Sequence, residues 1–391
     1  MPEGRFTPRV ERHLLQRLAN DDYRESAQGL EVFGCTISHV QAGRDLEKAG
    51  EEIHSELYGP EATVTARKKA PKNAPELLVV QQDGARYRTN EADRRKKRKK
   101  GDTSKEKPAD CPSEVESGAS AADDEIAPQE RDRGWRENKV AVVSRVVPGK
   151  TEPDGSYTKP KELVKTYVAK TKDSHAFGRD LRTEAERRGI KRAKQVIFLG
   201  DHGHGMPGMI EREFADVEKQ VITDFFHGAE RLGDVAAVVK GAGEAKKKKK
   251  RFEFFLELRS GLWNGEAKGV AKRLVRFASR RAPRPETLTE LDADPDAKKL
   301  WEHAMYFEKH HETMDYPTYR AKGWPIGSGS VESACGQFGE RVKHARMRWT
   351  RKAADALHVV KAAILSGDGR WQRRWPAPIP VLDLARSTIA A

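Results

Sequence analysis

Two apolar runs in this chain are typical of buried β-strands, and each ends on an aspartate. The first run covers residues 76–84 and ends at Asp83, and the second covers residues 195–201 and ends at Asp201. Short apolar runs bounded by turn residues predict strands that are covered by other elements. The two runs therefore predict a layered α/β fold with one carboxylate at the end of each strand.

Three further strands and a helix are predicted around these runs. The strands are expected near residues 140–143, 163–168 and 220–224, and the helix at 175–188. Three strands, a helix, and then alternating strands and helices indicate a mixed α/β sheet. This order resembles the ribonuclease H-like arrangement, in which catalytic acids come from the first strand, the fourth strand and a later helix.

The N-terminal residues 1–58 are predicted to be helical. Pro8 after Thr7, and Ser38 three residues before Gln41, are signals of helix starts. Capped helices around a glycine-containing turn are typical of a helix-turn-helix, although an ordinary helical bundle has the same pattern. The rest of the chain is predicted to divide into a linker at 59–75, the first part of the core at 76–227 with a disordered charged insertion at 90–134, an all-helical insertion domain at 228–320, the last part of the core at 321–375, and a tail at 376–391.

The composition favours a polyanionic partner. The formal net charge is +14, which suits DNA or RNA first and an anionic membrane second, although a merely basic surface would give the same figure. No apolar run approaches the roughly 20 residues of a membrane span, and the first residues do not match a signal peptide. Three cysteines, far apart, fit neither a disulfide framework nor a cysteine-based zinc site. We expect a cytoplasmic, nucleoid-associated protein.

A glycine- and serine-rich segment at residues 327–333 precedes a predicted helix that begins around Glu332. A dense basic face is predicted to follow on the same helix, where it would neutralise DNA phosphates. Trp349 either stacks on an unpaired base or packs in the core. The basic residues of this segment are Arg341, Lys343, Arg346, Arg348, Arg351 and Lys352.

Asp83, Asp201 and Glu332 are predicted to form one metal-binding set. Cleavage of a phosphodiester bond requires an activated attacking oxygen and a stabilised leaving oxygen, and two Mg²⁺ or Mn²⁺ ions meet both needs. Such hard cations bind carboxylate oxygens. Any one of these acids alone is more simply a residue of a solvent-exposed turn.

Histidines accompany two of the predicted strands. Asp224 and His227 are three residues apart and share a face if a helix begins there, so they could orient the site or contact a phosphate. A salt bridge or a helix cap is an equally good interpretation. His202 and His204 flank the loop after Asp201, where DNA contact or simple exposure is expected.

These residues together resemble a known group. The chain is similar to bacterial insertion-sequence transposases of the DDE class, in the ISKra-type group, and more distantly to Mutator-like transposases. The resemblance spans about residues 15–375 and is based on the segments around Asp83 and at 135–140, 200–203, 224–232, 324–332 and 346–349. It implies a ribonuclease H-like core with a helical insertion, a triad of Asp83, Asp201 and Glu332, and an Asp-x-x-His motif at Asp224 and His227.

The resemblance also implies an activity. We expect a Mg²⁺- or Mn²⁺-dependent enzyme that cuts transposon ends and joins them to target DNA, acting as a homodimer on double-stranded DNA. Two alternatives remain open: a catalytically silent DNA-binding remnant of a mobile element, and a ribonuclease H-like nuclease that lacks strand transfer. The charged insertion after Asp83 is unusually long for the family.

Overall fold

The computed structural model describes residues 6–88, 135–151, 157–171, 174–203, 205–241, 248–343 and 349–375. A five-stranded mixed sheet lies at its centre, with strand order β5-β2-β1-β6-β7, and β3 and β4 form a small separate hairpin. The strands are β1 (Leu77–Arg88), β2 (Trp135–Val147), β3 (Lys150–Thr151), β4 (Tyr157–Thr158), β5 (Lys161–Lys170), β6 (Gln195–Gly200) and β7 (Gln220–Thr223). The predicted α/β class and mixed sheet are confirmed.

The sheet combines antiparallel and parallel pairs. Strand β2 pairs antiparallel with both β1 and β5, whereas β6 pairs parallel with both β1 and β7. The residues Leu77 to Val80 are fully buried and alternate between two hydrophobic cores. A strand buried on both faces is apolar throughout, which is why the sequence shows a continuous run there.

Helices cover both faces of this sheet. One face packs against α5 (Ser174–Arg188) and α6 (Met206–Glu213), through residues such as Phe177 and Met209. The other face packs against a group of helices that lies between β7 and the C-terminal part of the chain. This group comprises α7 (Phe225–Lys240), α8 (Lys248–Trp263), α9 (Ala267–Arg281), α10 (Pro295–His310), α11 (Tyr316–Ala321) and α12 (Gly329–Val342).

The N-terminal helices share their core with the last helices of the chain. Leu14 and Leu46 pack in one hydrophobic cluster with Leu357 and Trp371. Residues 6–58 are therefore packed against the C-terminal helices rather than forming an isolated bundle. The helices that form this cluster or flank it are α1 (Pro8–Leu18), α2 (Tyr23–Gln28), α3 (His39–Tyr58), α4 (Ala62–Lys69), α13 (Arg351–Leu365) and α14 (Arg370–Arg373). Among the described helices, none has the length and apolar character needed to cross a bilayer.

One of the two predicted N-terminal caps forms its side-chain hydrogen bond to the helix backbone, although the Gln41 side chain bonds Asp45 instead of completing a capping box. The hydroxyl of Ser38 accepts a hydrogen bond from the backbone N–H of Gln41 at 3.1 Å, as its spacing predicted. Thr7 occupies the N-cap position before Pro8, but its side chain makes no capping hydrogen bond.

The linker prediction for 59–75 missed helix α4, and the predicted border at residue 228 falls inside α7. The insertion predicted at 90–134 lies outside the described residues.

One strand boundary was predicted wrongly. Strand β1 continues beyond Asp83 to Arg88, because β2 pairs with it over its whole length. Pairing with β6, by contrast, stops at Gln81. Asp83 therefore lies inside the antiparallel part of the strand, just past the point where the parallel part ends.

Candidate functional site

The first two predicted acids lie on neighbouring strands. The parallel register pairs Leu77 with Gln195 and Gln81 with Leu199. Asp83 and Asp201 each lie two residues past this last parallel pair. A Cβ built on Gly200 would lie 3.1 Å from the carbonyl oxygen of Gln82, so the two chains are still adjacent at that level.

Glu332 reaches the same edge of the sheet from helix α12. The backbone N–H of Val331 donates to Oε1 of Gln81 at 3.1 Å, which fixes the start of the helix against β1. Gln81 and Asp83 are two residues apart in the strand, so their side chains lie on the same face. Glu332 is therefore directed towards the face on which Asp83 lies.

Cys335, one turn after Glu332, connects the helix with Asp83. Burial raises the pKa of the Cys335 thiol, and the charge of Asp83, which accepts a hydrogen bond from the thiol, raises it further. Glu332 raises the pKa of the same thiol through its charge. Both carboxylates consequently lie close to one buried sulfur atom.

Asp224 is a buried organising residue at the start of α7. Its Oδ1 accepts from the backbone N–H groups of Phe226 at 2.6 Å and His227 at 3.0 Å, which caps the helix. Its Oδ2 accepts from the backbone N–H of Ser328. The hydroxyl of Ser328 in turn donates to Oε1 of Glu332 at 3.1 Å. One carboxylate therefore ties the segment before Glu332 to the end of β7.

His227 lies among the acids. Its Nδ1 is 3.7 Å from both Oδ1 of Asp224 and Oε1 of Glu332. The contact with Asp224 raises the pKa of His227 to about 9, and the charges of Asp201 and Glu332 add to this against the opposing effect of burial. The cluster of carboxylates thus attracts positive charge. The spacing argument that Asp224 and His227 share a helical face is confirmed.

The loop after Asp201 is fixed by His202. His202 adopts a left-handed backbone conformation with φ of 63°, which is uncommon for a residue with a side chain. Its Nε2 lies 2.7 Å from the hydroxyl of Thr223, and its ring stacks on that of His310 at 4.0 Å between centroids. Burial lowers the pKa of His202 to about 4, so the ring is neutral. His202 is half-buried and packs against Thr223 and His310 rather than being simply exposed, and a contact with DNA stays a prediction.

The carboxylate of Asp201 is positioned by its own loop. Its Oδ1 accepts from the backbone N–H of Gly203 at 2.8 Å, and a Cβ at Gly203 would come within 3.0 Å of that oxygen. The Tyr306 hydroxyl donates to the Asp201 carbonyl oxygen at 3.3 Å. Asp201 is thus held by a backbone N–H on its side chain and by a tyrosine hydroxyl on its carbonyl oxygen. His204 lies outside the described residues.

Two residues of the site were missed from the sequence. Tyr306, which contacts Asp201, lies on α10, far along the chain. The guanidinium of Arg231 lies 4.1 Å from the centroid of the Tyr306 ring, one helical turn after His227. The spacing of Asp224, His227 and Arg231 on one helix was the available signal, since residues three and four apart share a face. The Arg231 guanidinium also lies 3.9 Å from Oε1 of Glu302, so part of its charge is matched within the chain.

The ligand geometry distinguishes two possible cation sites. Among the described residues, three each offer one possible metal ligand atom within 4.8 Å of the other two. They are Asp224, His227 and Glu332. Asp224 is a poor ligand, because its two oxygens already accept three backbone hydrogen bonds in a fully buried position. The carboxylate oxygens of Asp83, Asp201 and Glu332 do not all lie within that distance of one another. Their oxygens suit a hard divalent cation.

The basic segment after Glu332 differs from its prediction. Helix α12 ends at Val342, so the basic face does not continue on the same helix. Arg341 is buried, donates from Nε to the carbonyl oxygen of Leu18 at 3.4 Å, and lies 4.7 Å from the Trp349 ring. Trp349 is buried against Tyr23 at 5.7 Å between ring centroids. Both residues are core residues here, and the alternative of core packing is the correct one for Trp349.

The other basic residues of that segment remain partly described. Lys343 is exposed just after α12, and Arg351 is exposed at the start of α13. The amine of Lys352 lies 2.8 Å from Glu51, so part of its charge is matched within the chain. Arg346 and Arg348 lie outside the described residues.

Comparisons with known proteins give no assignment. No protein-family model matches this chain, and no curated protein matches it. The geometry of the acids, of His227 and of Arg231 is therefore the basis on which a function can be inferred.

Proposed function

We propose that this protein is a DDE-type DNA transposase, which cuts DNA strands at transposon ends and joins them to target DNA. The observation that supports this most directly is the approach of Asp83, Asp201 and Glu332 to one edge of the sheet. Asp83 lies in β1, and Asp201 directly follows β6, which is the fourth strand of the five-stranded sheet along the chain. Glu332 comes from the later helix α12. This is the distribution expected of a ribonuclease H-like core.

The sheet order adds to the proposal. The strand order is β5-β2-β1-β6-β7, in which the first two neighbouring pairs are antiparallel and the last two are parallel. This order is typical of the ribonuclease H-like arrangement. Helices α7 to α11 lie between the second and third acids in the chain and would correspond to the helical insertion domain. The net charge of +14 supports a DNA partner.

Asp83, Asp201 and Glu332 would bind the catalytic cations, Mg²⁺ or Mn²⁺. Two such ions, when bound, would activate the attacking oxygen and stabilise the leaving oxygen of a phosphodiester. Asp224 takes part by positioning: it orients Glu332 through Ser328 and caps the helix that carries His227. Its replacement is therefore expected to lower activity without removing a metal ligand.

Arg231 and His227 supply positive charge on the DNA side of the acids. The Arg231 guanidinium stacks on Tyr306 and lies 3.9 Å from Glu302, and it would contact a phosphate oxygen near the cut. His227 can donate a hydrogen bond to the same phosphate while it remains protonated. Because a transposon has two ends, we propose that two copies of the chain act together on DNA.

Cleavage of a supercoiled plasmid that carries the DNA flanking the coding sequence tests the proposal. Wild-type protein with Mg²⁺ or Mn²⁺ is expected to cut at the element ends and to form joined products. Asp201→Asn is expected to lower the rate at least 100-fold, because it removes a ligand charge while Oδ1 can still accept from Gly203. Asp234→Asn is the matched control. Asp234 also lies on α7, but it forms an ion pair with Lys299, so this variant should retain activity.

The products separate the alternatives. Nicked DNA without joined products would identify a nuclease and reject strand transfer. Salt-sensitive DNA binding without metal-dependent cleavage would identify a silent remnant. Full activity of Asp201→Asn would reject the proposed site itself.

A further inference from the structure

An aromatic cleft opens directly beside Glu332. Its volume is about 970 Å³, and its lining includes Phe226, Trp263, Arg320, Trp324, Gly327 and Glu332. Volumes of about 300–1,000 Å³ are typical of pockets for small ligands, so there is room for one or two nucleotides but not for a turn of duplex. The cleft therefore lies between the sheet, which contributes Gln81 and Glu162, and the helical segment, with Glu332 in its lining.

Phe226 is the exposed aromatic residue of this cleft. Its side chain is 55% exposed, whereas the adjacent Phe225 is fully buried in the core. Its backbone N–H donates to Asp224, so the ring is attached to the capped first turn of α7. A large apolar group on such a segment has no role in the core and is free to contact a ligand.

Gly327 makes the position of this ring possible. A Cβ at residue 327 would lie 2.5 Å from Cε2 of Phe226, which is too close for any side chain. The ring therefore packs directly against the glycine backbone, in the segment that leads to Glu332. The opposite side of the ring remains available to a planar partner.

Cations contact two other aromatic residues of the cleft, and of these cations Arg320 lines the cleft itself. The Arg320 guanidinium lies 3.8 Å from the centroid of the Trp263 ring, and its Nη2 donates to the carbonyl oxygen of Trp263 at 2.9 Å. The amine of Lys322 lies 4.4 Å from the centroid of the Trp324 ring. The nearby carboxylate of Glu162 forms an ion pair with the amine of Lys165 at 3.0 Å. Aromatic rings interleaved with cations are typical of surfaces that bind single-stranded nucleic acid.

From this arrangement we infer that the cleft binds an unpaired nucleotide of the DNA strand next to the scissile phosphate, with its base stacked on Phe226. The inference rests on the proposed function, because it assigns the strand whose phosphate reaches the acids. It also commits to a DNA structure that is open beside the cut. A base within an intact duplex could not reach the ring.

A fork-DNA binding experiment tests the inference without any catalysis. The probe is a duplex with a short unpaired arm that carries 2-aminopurine next to the junction, and the reference is a blunt duplex of the same sequence, both in EDTA. Wild-type protein is expected to bind the fork about tenfold more tightly than the blunt duplex and to quench 2-aminopurine by stacking. Phe226→Ala should lose both effects, and Phe226→Trp should retain them.

Phe252→Ala is the matched control, because Phe252 is 58% exposed on α8 and does not line the cleft. It should behave as the wild type, and all variants should unfold at the same temperature. Equal binding of fork and blunt DNA by the wild type, or an unchanged fork preference in Phe226→Ala, would overturn the inference. Metal-dependent plasmid cleavage by the same preparations would then show that the proposed function survives, whereas absence of cleavage by the wild type would reject that function separately.

Discussion

Replacing Asp224 with asparagine tests whether this residue organises the site or binds the metal. The side chain is fully buried and accepts three backbone hydrogen bonds, from Phe226, His227 and Ser328. Asparagine can cap a helix about as well as aspartate, so the first two bonds survive through Oδ1. Its amide nitrogen, however, then faces the N–H of Ser328, and two buried donors meet without an acceptor.

The structure allows the cost to be worked out. A hydrogen bond to a charged group contributes about 1.5–3 kcal/mol, and an unsatisfied buried donor costs about 1–3 kcal/mol, so Asp224→Asn should lower the free energy of unfolding by about 3 kcal/mol. Urea unfolding in EDTA, followed by tryptophan fluorescence, measures this change. The slope of the transition should not change, since the unfolded surface is the same.

Asp22 provides a matched control for this measurement. It caps α2 by accepting from the backbone N–H groups of Arg24 at 2.7 Å and Glu25 at 2.8 Å, which is the same local geometry without a distant partner. Asp22→Asn should therefore change the free energy of unfolding by less than about 0.5 kcal/mol. Equal, small changes in both variants would refute the account of Asp224. A loss in Asp224→Asn that appears only with Mg²⁺ would instead identify a metal ligand.

Two further outcomes concern charge and burial. His202 and His310 are neutral in the folded protein, with burial lowering their pKa values to about 4 and about 3, whereas their unfolded pKa is 6.5. The unfolded chain therefore binds more protons in this interval, so the free energy of unfolding should fall as the pH drops from 6.5 towards 4. The fall should be smaller in His310→Asn, which has lost one of the two histidines. Urea unfolding midpoints at pH 7 and pH 4.5 measure both changes. Arg341→Ala should lower the free energy of unfolding by about 2 kcal/mol through lost packing and cation–π contact. Its DNA affinity should stay unchanged, whereas Lys343→Ala should keep its stability and bind DNA more weakly at low salt; the reverse pattern would contradict the core position of Arg341.

The sheet could be predicted because its strands are buried on both faces. Such strands appear in the sequence as continuous apolar runs, and this identified residues 76–80 and 195–199 directly. Asp201 follows the second run immediately, so its place at a strand end could be predicted as well. Asp83 was harder to place, because the length of β1 depends on pairing with β2, across 46 intervening residues that carry no signal of the register.

The basic segment after Glu332 shows why other parts could not be predicted. No glycine or proline lies between residues 340 and 349, so no local signal marks the end of α12 at Val342. The end is set by packing: Arg341 and Trp349 are buried against Tyr23, more than 300 residues earlier in the chain. The hydrophobic periodicity of the sequence does not reveal contacts between residues so far apart in the chain.

The hydrogen bond between Ser328 and Asp224 is a second example. Spacing within one helix relates Asp224 to His227, and the glycine-rich segment predicts a flexible approach to Glu332. Neither pattern shows that the two segments meet, because their contact depends on how α7 and α12 pack on the sheet. The place of Asp201 could thus be predicted, whereas the position of Asp83 within β1 and the residues that orient the acids required the fold.

A crystal structure of the protein grown with Mn²⁺, with anomalous scattering recorded at the manganese edge, tests the central claim most directly. We predict anomalous density bound by the carboxylates of Asp83, Asp201 and Glu332, with Asp224 still accepting from Ser328. Density bound by Asp224 and His227 instead, or no density at the edge of the sheet at millimolar Mn²⁺, would contradict the account.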